Sequence, residues 1–179
     1  MYVDLTAGFG VAAAGHAHPA VVAAVGGQAR RLSHALGDVH PADVKVALLE
    51  RLAELAPGDL SVSILSANGS DAVESAWKTA ALATGRPGAI AFEGAYHGLG
   101  LGALALTSAD RFRRPFERQL YGGVRFAPYP GAPGSVSTED ALAAVRHQAA
   151  EQPPFERIPS EYVRKRHAFI DDEVRAPPV

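Results

Sequence analysis

Cysteine is absent from this 179-residue chain. Disulfides, thiolate nucleophiles and cysteine-based metal centres are therefore excluded together. No apolar run reaches the ~18 residues that a membrane span requires, and the N-terminus lacks the basic-then-apolar pattern of a signal peptide. A concentrated basic face is also missing. The formal net charge is -2, and Asp110 and Glu117 dilute the basic residues that fall between Arg111 and Arg125. A solvated surface is expected there, with no nucleic acid and no membrane as partner. What remains is a chain with 47% hydrophobic and 20% charged residues, the balance of a globular protein long enough for one ordinary core. Its expected location is the cytoplasm.

The pattern alternates strands and helices. Tyr2 to Leu5 is short and β-prone, and the Gly-rich stretch from Gly8 to Gly15 reads as loop. Pro19 at a first turn opens a helix with Val21, Val22, Val25 and Leu32 as its apolar positions, which Gly26-Gly27 is expected to weaken or interrupt. A second helix is expected from about Pro41 to Leu55. Val44, Leu48, Leu52 and Leu55 would form its buried stripe, and Pro57-Gly58 its end. Leu60 to Leu65 reads as a buried strand. A third helix runs over about 70 to 84, and Gly85 and Pro87 stop it. Ala89 to Phe92 is a strand, Gly98 to Leu106 is helical despite its glycines, and Val124 to Ala127 is a short strand within a Pro- and Gly-rich loop. A helix opens at Thr138 and runs to about Ala150, and Ala168 to Ile170 closes the series as a strand. This order implies an α/β layer architecture with a mainly parallel sheet.

Three places can carry chemistry. The turn Ala67-Asn-Gly-Ser-Asp71 joins a strand to a helix. Asn68 suits the N-cap, and Asp71 can return a bond to it as in a capping box. Gly69 and Ser70 then offer free amides and a hydroxyl at a helix N-terminus, which suits a phosphate. Taken alone, the commoner reading is a plain capped helix start. Glu93-Gly-Ala-Tyr-His-Gly98 follows the second strand, so Tyr96 and His97 lie at the strand ends where ligands gather in open α/β sheets. A half-buried tyrosine is the ordinary alternative. Asp171-Asp172-Glu173 ends the last strand; a carboxylate there could stay ionised and keep a cationic heterocycle protonated, or could merely mark the strand end.

Two further patterns are weaker. Gly100-Leu-Gly102-Ala-Leu-Ala105 has a loose dinucleotide-type spacing, but Tyr96-His97-Gly98 separates it from its strand. His16 and His18 lack a third metal ligand of fitting spacing.

Read together, these segments resemble class III aminotransferases of the ornithine, acetylornithine and GABA type. Gly15-His-Ala-His-Pro19 is similar to their Gly-His-x-His-Pro. Asn68-Gly-Ser-Asp-Ala-Val-Glu74 is similar to their Ser-Gly-Thr-Glu-Ala-Val-Glu phosphate turn. Ala91-Phe-Glu-Gly-Ala-Tyr-His-Gly98, with Gly102-Ala-Leu-Ala-Leu-Thr-Ser108, is close to the family wording, and Ile170-Asp-Asp-Glu-Val174 resembles a strand ending in Asp-Glu-Val-Gln. The similarity covers residues 2 to 150 and resumes at 158 to 175.

The resemblance implies a partial fold-type I large domain and pyridoxal 5'-phosphate as cofactor. By position, Gly69 and Ser70 would hold the phosphate, Tyr96 would stack on the pyridine ring, and His97 would sit beside it. Asp172 would pair with the pyridine nitrogen, and Val174 would pack on the opposite face. An amino-acid or amine donor and a 2-oxo acid are the implied substrates. A homodimer, or association with a full-length subunit, is the implied assembly, with apolar partner-facing surface around Gly8 to Gly15 and the helix after it.

Three departures accompany the resemblance. The family's Schiff-base lysine lies well beyond the Asp-Glu-Val strand, and Lys45, Lys78 and Lys165 do not match it. A Glu-Pro-Val strand before the Asp strand is missing, as is the small C-terminal domain. Arg175 stands where Gln is usual. Without that lysine no residue here can move the proton that transamination requires, so this chain alone is expected to be catalytically dead or nearly so. The alternative is a non-catalytic remnant acting as a binding or subunit-interaction protein.

Overall fold

The computed structural model describes residues 2–37, 39–131 and 135–151. The chain divides into two compact units, Met1–Val62 and Ser63–Val179, and each is taken by itself.

The first unit is a turn-rich segment followed by two helices. Asp4 organises the turns. Its carboxylate accepts from the Thr6 amide at 2.9 Å, the Thr6 hydroxyl at 2.8 Å, the Gly8 amide at 2.8 Å and His16 Nε2 at 2.8 Å. The His16 bond first, and then those from Thr6, hold its carboxyl well down, at a pKa of about 2. Helix α1 spans Pro19–Arg31; proline fits its first position, and the His18 side chain accepts from the Ala20 amide. Contrary to expectation, Gly26-Gly27 does not interrupt it, since a glycine costs a helix only ~1 kcal/mol and removes no backbone bond. Helix α2 spans Asp43–Leu55, and Arg31 pairs with Asp43 at 2.7 Å.

The stripe expected to be buried on α2 is not. Val44, Leu48 and Leu55 are 52%, 47% and 64% exposed. Periodicity defines an apolar face, but burial also needs a layer to cover it, and the first unit contains none among its described residues.

The segment at which the chain passes from the first unit to the second departs most from expectation. Leu60 to Leu65 forms no strand, and Val62 is 89% exposed. Alternating apolar residues supply one face of a strand but not the ladder partner that makes it one. The expected strand Ala168 to Ile170 lies outside the described residues.

Helix α3, Gly69–Thr84, follows, and Gly85 ends it in the left-handed region at φ 67°. Trp77 Nε1 then donates to the Pro87 carbonyl at 3.1 Å and returns the chain toward the sheet. Strand β1, Ala89–Phe92, pairs in parallel with β2, Val124–Ala127, in the register Ala89 to Val124 through Phe92 to Ala127. The connection between them carries α4 (Leu101–Leu106), α5 (Asp110–Arg113) and a 3-10 turn (Arg114–Gln119). Helix α6, Thr138–Ala150, is capped by Ser137 and packs on both strands.

Among the described residues the core consists of Ala91, Ala103, Leu104, Ala105, Leu106, Ala127 and Ala141, with Thr107 as its buried polar residue. Small residues dominate, so backbones approach closely and the fully buried Leu104 is the largest apolar anchor.

Candidate functional site

The site is assembled from the N-terminus of α3 and the loop after β1. Asn68 caps α3 in an extended conformation, and its Oδ1 accepts from the Asp71 amide at 3.0 Å. The return bond differs from the capping-box expectation. Asp71 Oδ2 accepts from the Ala67 amide, one residue earlier, at 3.2 Å. Both bonds bypass the first two helical amides. Among the described residues, nothing accepts from the Gly69 or Ser70 N–H, so two donors and the helix dipole face outward together.

The loop from Glu93 to Gly100 is brought against this turn. Gly100 N–H donates to Ser70 Oγ at 3.1 Å, and Gly102 N–H donates to Glu74 Oε1 at 2.9 Å. Ser70 and Glu74 lie one turn apart on α3, so they cap the start of α4 as a pair. Such proximity requires glycine. A Cβ on Gly98 would lie 2.6 Å from Ser70 Cβ, one on Gly100 2.9 Å from Ser70 Oγ, and one on Gly102 2.9 Å from Glu74 Cδ. The dinucleotide-like spacing is therefore a packing device, with its glycines turned to a helix.

Ser70 keeps its hydroxyl proton for another acceptor, because it receives the Gly100 bond on its oxygen. An open cleft of about 380 Å³ lies here, lined by Asn68, Ser70, Asp71, Glu74, Leu99 and Gly100.

Tyr96 stands 57% exposed, and its ring meets Phe112 edge-on with centroids 5.5 Å apart. The exposed ring surface can meet a flat ligand. His97 is half-buried, held through its backbone N–H by the Thr107 hydroxyl at 3.0 Å. The structure therefore brings Gly69 and Ser70 onto one helix start, and places Tyr96 and His97 on the loop bonded to it. Asp172, Val174 and Arg175, like Lys165, lie outside the described residues.

The histidine pair is spent locally, His16 on Asp4 and His18 on the α1 cap. Among the described residues no group of three His, Asp or Glu side chains converges as a metal site. The sequence by itself assigns no role to Glu74, Thr107, Ser108 or Arg113. Glu74, Thr107 and Ser108 stand inside the family-like motifs, but their partners lie too far along the chain to be seen there.

The fold is that of a fold-type I aminotransferase large domain in part. The crystal structure of adenosylmethionine-8-amino-7-oxononanoate aminotransferase from Methanocaldococcus jannaschii superposes with a TM-score of 0.65 at 25% identity, over 76% of this chain and 32% of that one. Over residues 1–157 the sequence matches the family described as aminotransferase class-III, and the chain belongs to that family. It is 37% identical over 145 residues to 2-aminoadipate transaminase of Pseudomonas putida, covering 80% of this chain and 35% of that enzyme. It is likewise 37% identical over 174 residues to acetylornithine aminotransferase of Methanopyrus kandleri, covering 96% of this chain and 44% of that enzyme. The chain thus spans less than half the length of these relatives. Members of the family use pyridoxal phosphate.

The residues present fit that group. Two unclaimed amides and a hydroxyl suit its phosphate, and the exposed ring surface of Tyr96 suits its ring. Asp71 and Glu74 bring negative charge to the same cleft, but each carboxylate is already engaged by a backbone amide.

Proposed function

We propose that the second unit holds pyridoxal phosphate as part of a class III aminotransferase that moves an amino group from an amine donor to a 2-oxo acid. One observation carries the reading: the free Gly69 and Ser70 amides and the Ser70 hydroxyl stand beside the loop that presents Tyr96 and His97, tied by the Gly100 bond. When bound, the cofactor supplies the electron sink that draws charge from the substrate α-carbon.

This chain's residues bind and orient. Gly69 and Ser70 take the phosphate, Tyr96 lies across the pyridine ring, and His97 borders it. By the family resemblance, Asp172 pairs with the ring nitrogen and Val174 covers the far face.

The lysine that would move the substrate proton is not supplied by the described lysines. Lys78 lies more than two turns into α3, 75% exposed and paired with Glu74 at 3.6 Å. Lys45 stands on α2 in the other unit. This chain alone therefore retains cofactor weakly and does not turn over.

Titration with pyridoxal phosphate, followed by absorbance, tests the site. Replacement of Gly69 by Pro removes one of the two free amides and should abolish binding. An unchanged affinity would return the turn to a plain helix cap. Borohydride reduction with peptide mass spectrometry tests the second half. A stoichiometric pyridoxyl adduct on Lys45, Lys78 or Lys165, with transaminase turnover, would overturn it.

A second reading, a binding remnant that associates with a full-length subunit or with its own copy, is favoured by the uncovered stripes of α1 and α2. It predicts co-purification with such a subunit and no cofactor spectrum.

A further inference from the structure

Tyr96 is exposed, yet both sides of its loop are tied down by hydrogen bonds. The anchors are two consecutive residues after α4. Thr107 is fully buried. Its Oγ1 accepts from the His97 amide at 3.0 Å, and its hydroxyl proton lies within reach of the Gly98 carbonyl at 3.1 Å and the Ala103 carbonyl at 3.0 Å. Ser108 takes the other end. Its Oγ accepts from the Gly94 amide at 2.7 Å, and its own amide donates to the Ala95 carbonyl at 2.9 Å. Residues 94, 95, 97 and 98 are all bound, with Tyr96 at the centre.

The clamp is itself fixed. Ala103 to Leu106 are buried in the core, so Thr107 issues from a buried helical turn. Arg113 Nη1 donates to the carbonyls of Leu104 at 3.2 Å, Ala105 at 2.5 Å and Thr107 at 2.9 Å. The same guanidinium lies 4.9 Å from the centre of the Phe126 ring on β2. Position is thus passed from the sheet through Arg113 and Thr107 to the loop.

We infer that Thr107 is a positioning residue for the ring-binding platform, with Ser108 as its second point: the buried hydroxyl sets where Tyr96 and His97 stand relative to the phosphate turn. This rests on the reading of the site as a cofactor site. Serine could replace threonine in this role, since the hydroxyl carries it. Valine could not: it keeps the shape but leaves the half-buried His97 amide without an acceptor. A site group held by a locked neighbour needs no reordering when a ligand arrives, which is where such a clamp adds affinity.

The test compares the full chain with Thr107→Ser, Thr107→Val and Ser108→Ala. Two measurements are made: amide hydrogen exchange at His97 and Gly94 without ligand, and affinities for pyridoxal phosphate and for inorganic phosphate. Thr107→Val should accelerate His97 exchange about tenfold or more and weaken pyridoxal phosphate about tenfold, with phosphate affinity unchanged. Thr107→Ser should restore both to within about threefold of the parent. Ser108→Ala should accelerate Gly94 exchange and weaken the cofactor by a smaller factor. It leaves the buried position intact, and so serves if the valine variant does not fold.

Unchanged amide exchange in the hydroxyl-free variants overturns the inference. So does an unchanged ratio of the two affinities when the parent does bind the cofactor. If the parent binds no cofactor, the reading of the site falls, and the exchange comparison alone judges whether Thr107 sets the loop.

Discussion

The two units of this chain use similar sequence material to different ends. Each has helices with apolar faces, yet the first has no fully buried residue among those described, whereas the second buries Leu104, Leu106 and a set of alanines between two strands and two helices. The first unit is held by local polar bonds, centred on Asp4 and on the Arg31–Asp43 pair. The second is held by packing and by bonds that join distant segments. An amphipathic helix is therefore a request for a partner, and only the second unit contains the answer.

That contrast can be broken most directly in the core. Leu104→Ala should destabilise the second unit by about 3 kcal/mol, because its fully buried side chain leaves a cavity. Leu48→Ala on α2 should change stability by no more than about 0.5 kcal/mol. Denaturant unfolding of both variants measures the difference. A loss at Leu48 as large as that at Leu104 would show that the α2 face is covered in solution.

The next effect is expected at the seam between helix and loop. Gly98 has φ +127°, and a Cβ there would meet Ser70 at 2.6 Å. Gly98→Ala should therefore cost about 2 kcal/mol, combining backbone strain with overpacking. It should also weaken phosphate binding, because the residue displaced is Ser70. Calorimetric titration with phosphate, beside the melting curve, separates the two. Normal phosphate binding in a destabilised variant would detach the seam from the site.

The smallest effect belongs to the first unit. Asp4 is held at a pKa of about 2, against its ordinary 3.8, first by the His16 bond and then by those from Thr6. A depressed carboxylate contributes stability above its unfolded value and loses it as pH falls. The Asp4 turn should therefore loosen between about pH 3.8 and pH 2 and stay intact above. Carboxyl carbon shifts followed by NMR report the titration, and Asp4→Asn should remove it. Amides of the second unit should not follow that transition; if they do, the two units are coupled through the Asp4 turn.

Much of this molecule was legible along the chain. Helix α1 begins at Pro19, α3 follows its Asn68 cap and stops before Gly85, and α6 opens at Thr138, because caps and helical bonds close within four residues. The motifs around Asn68-Gly-Ser and Tyr96-His97 lie on the two segments that the Gly100 bond brings together, and the family they resemble is the one to which the chain belongs.

What the chain order could not decide was which groups meet. Leu60 to Leu65 has the composition of a strand but, among the described residues, no neighbour to complete its ladder. The spacing of Gly100 and Gly102 is only loosely dinucleotide-like in the sequence, and nothing along the chain shows that these glycines, with Gly98, lie against α3. Gly100 reaches Ser70 across 30 residues, and Gly102 reaches Glu74 across 28. Bonds within one turn follow from propensity and sterics, so the sequence determines them by itself. Close approach between a helix and a loop, and the burial of one hydroxyl at Thr107, depend on how the sheet and its helices pack, and only the tertiary structure decides them.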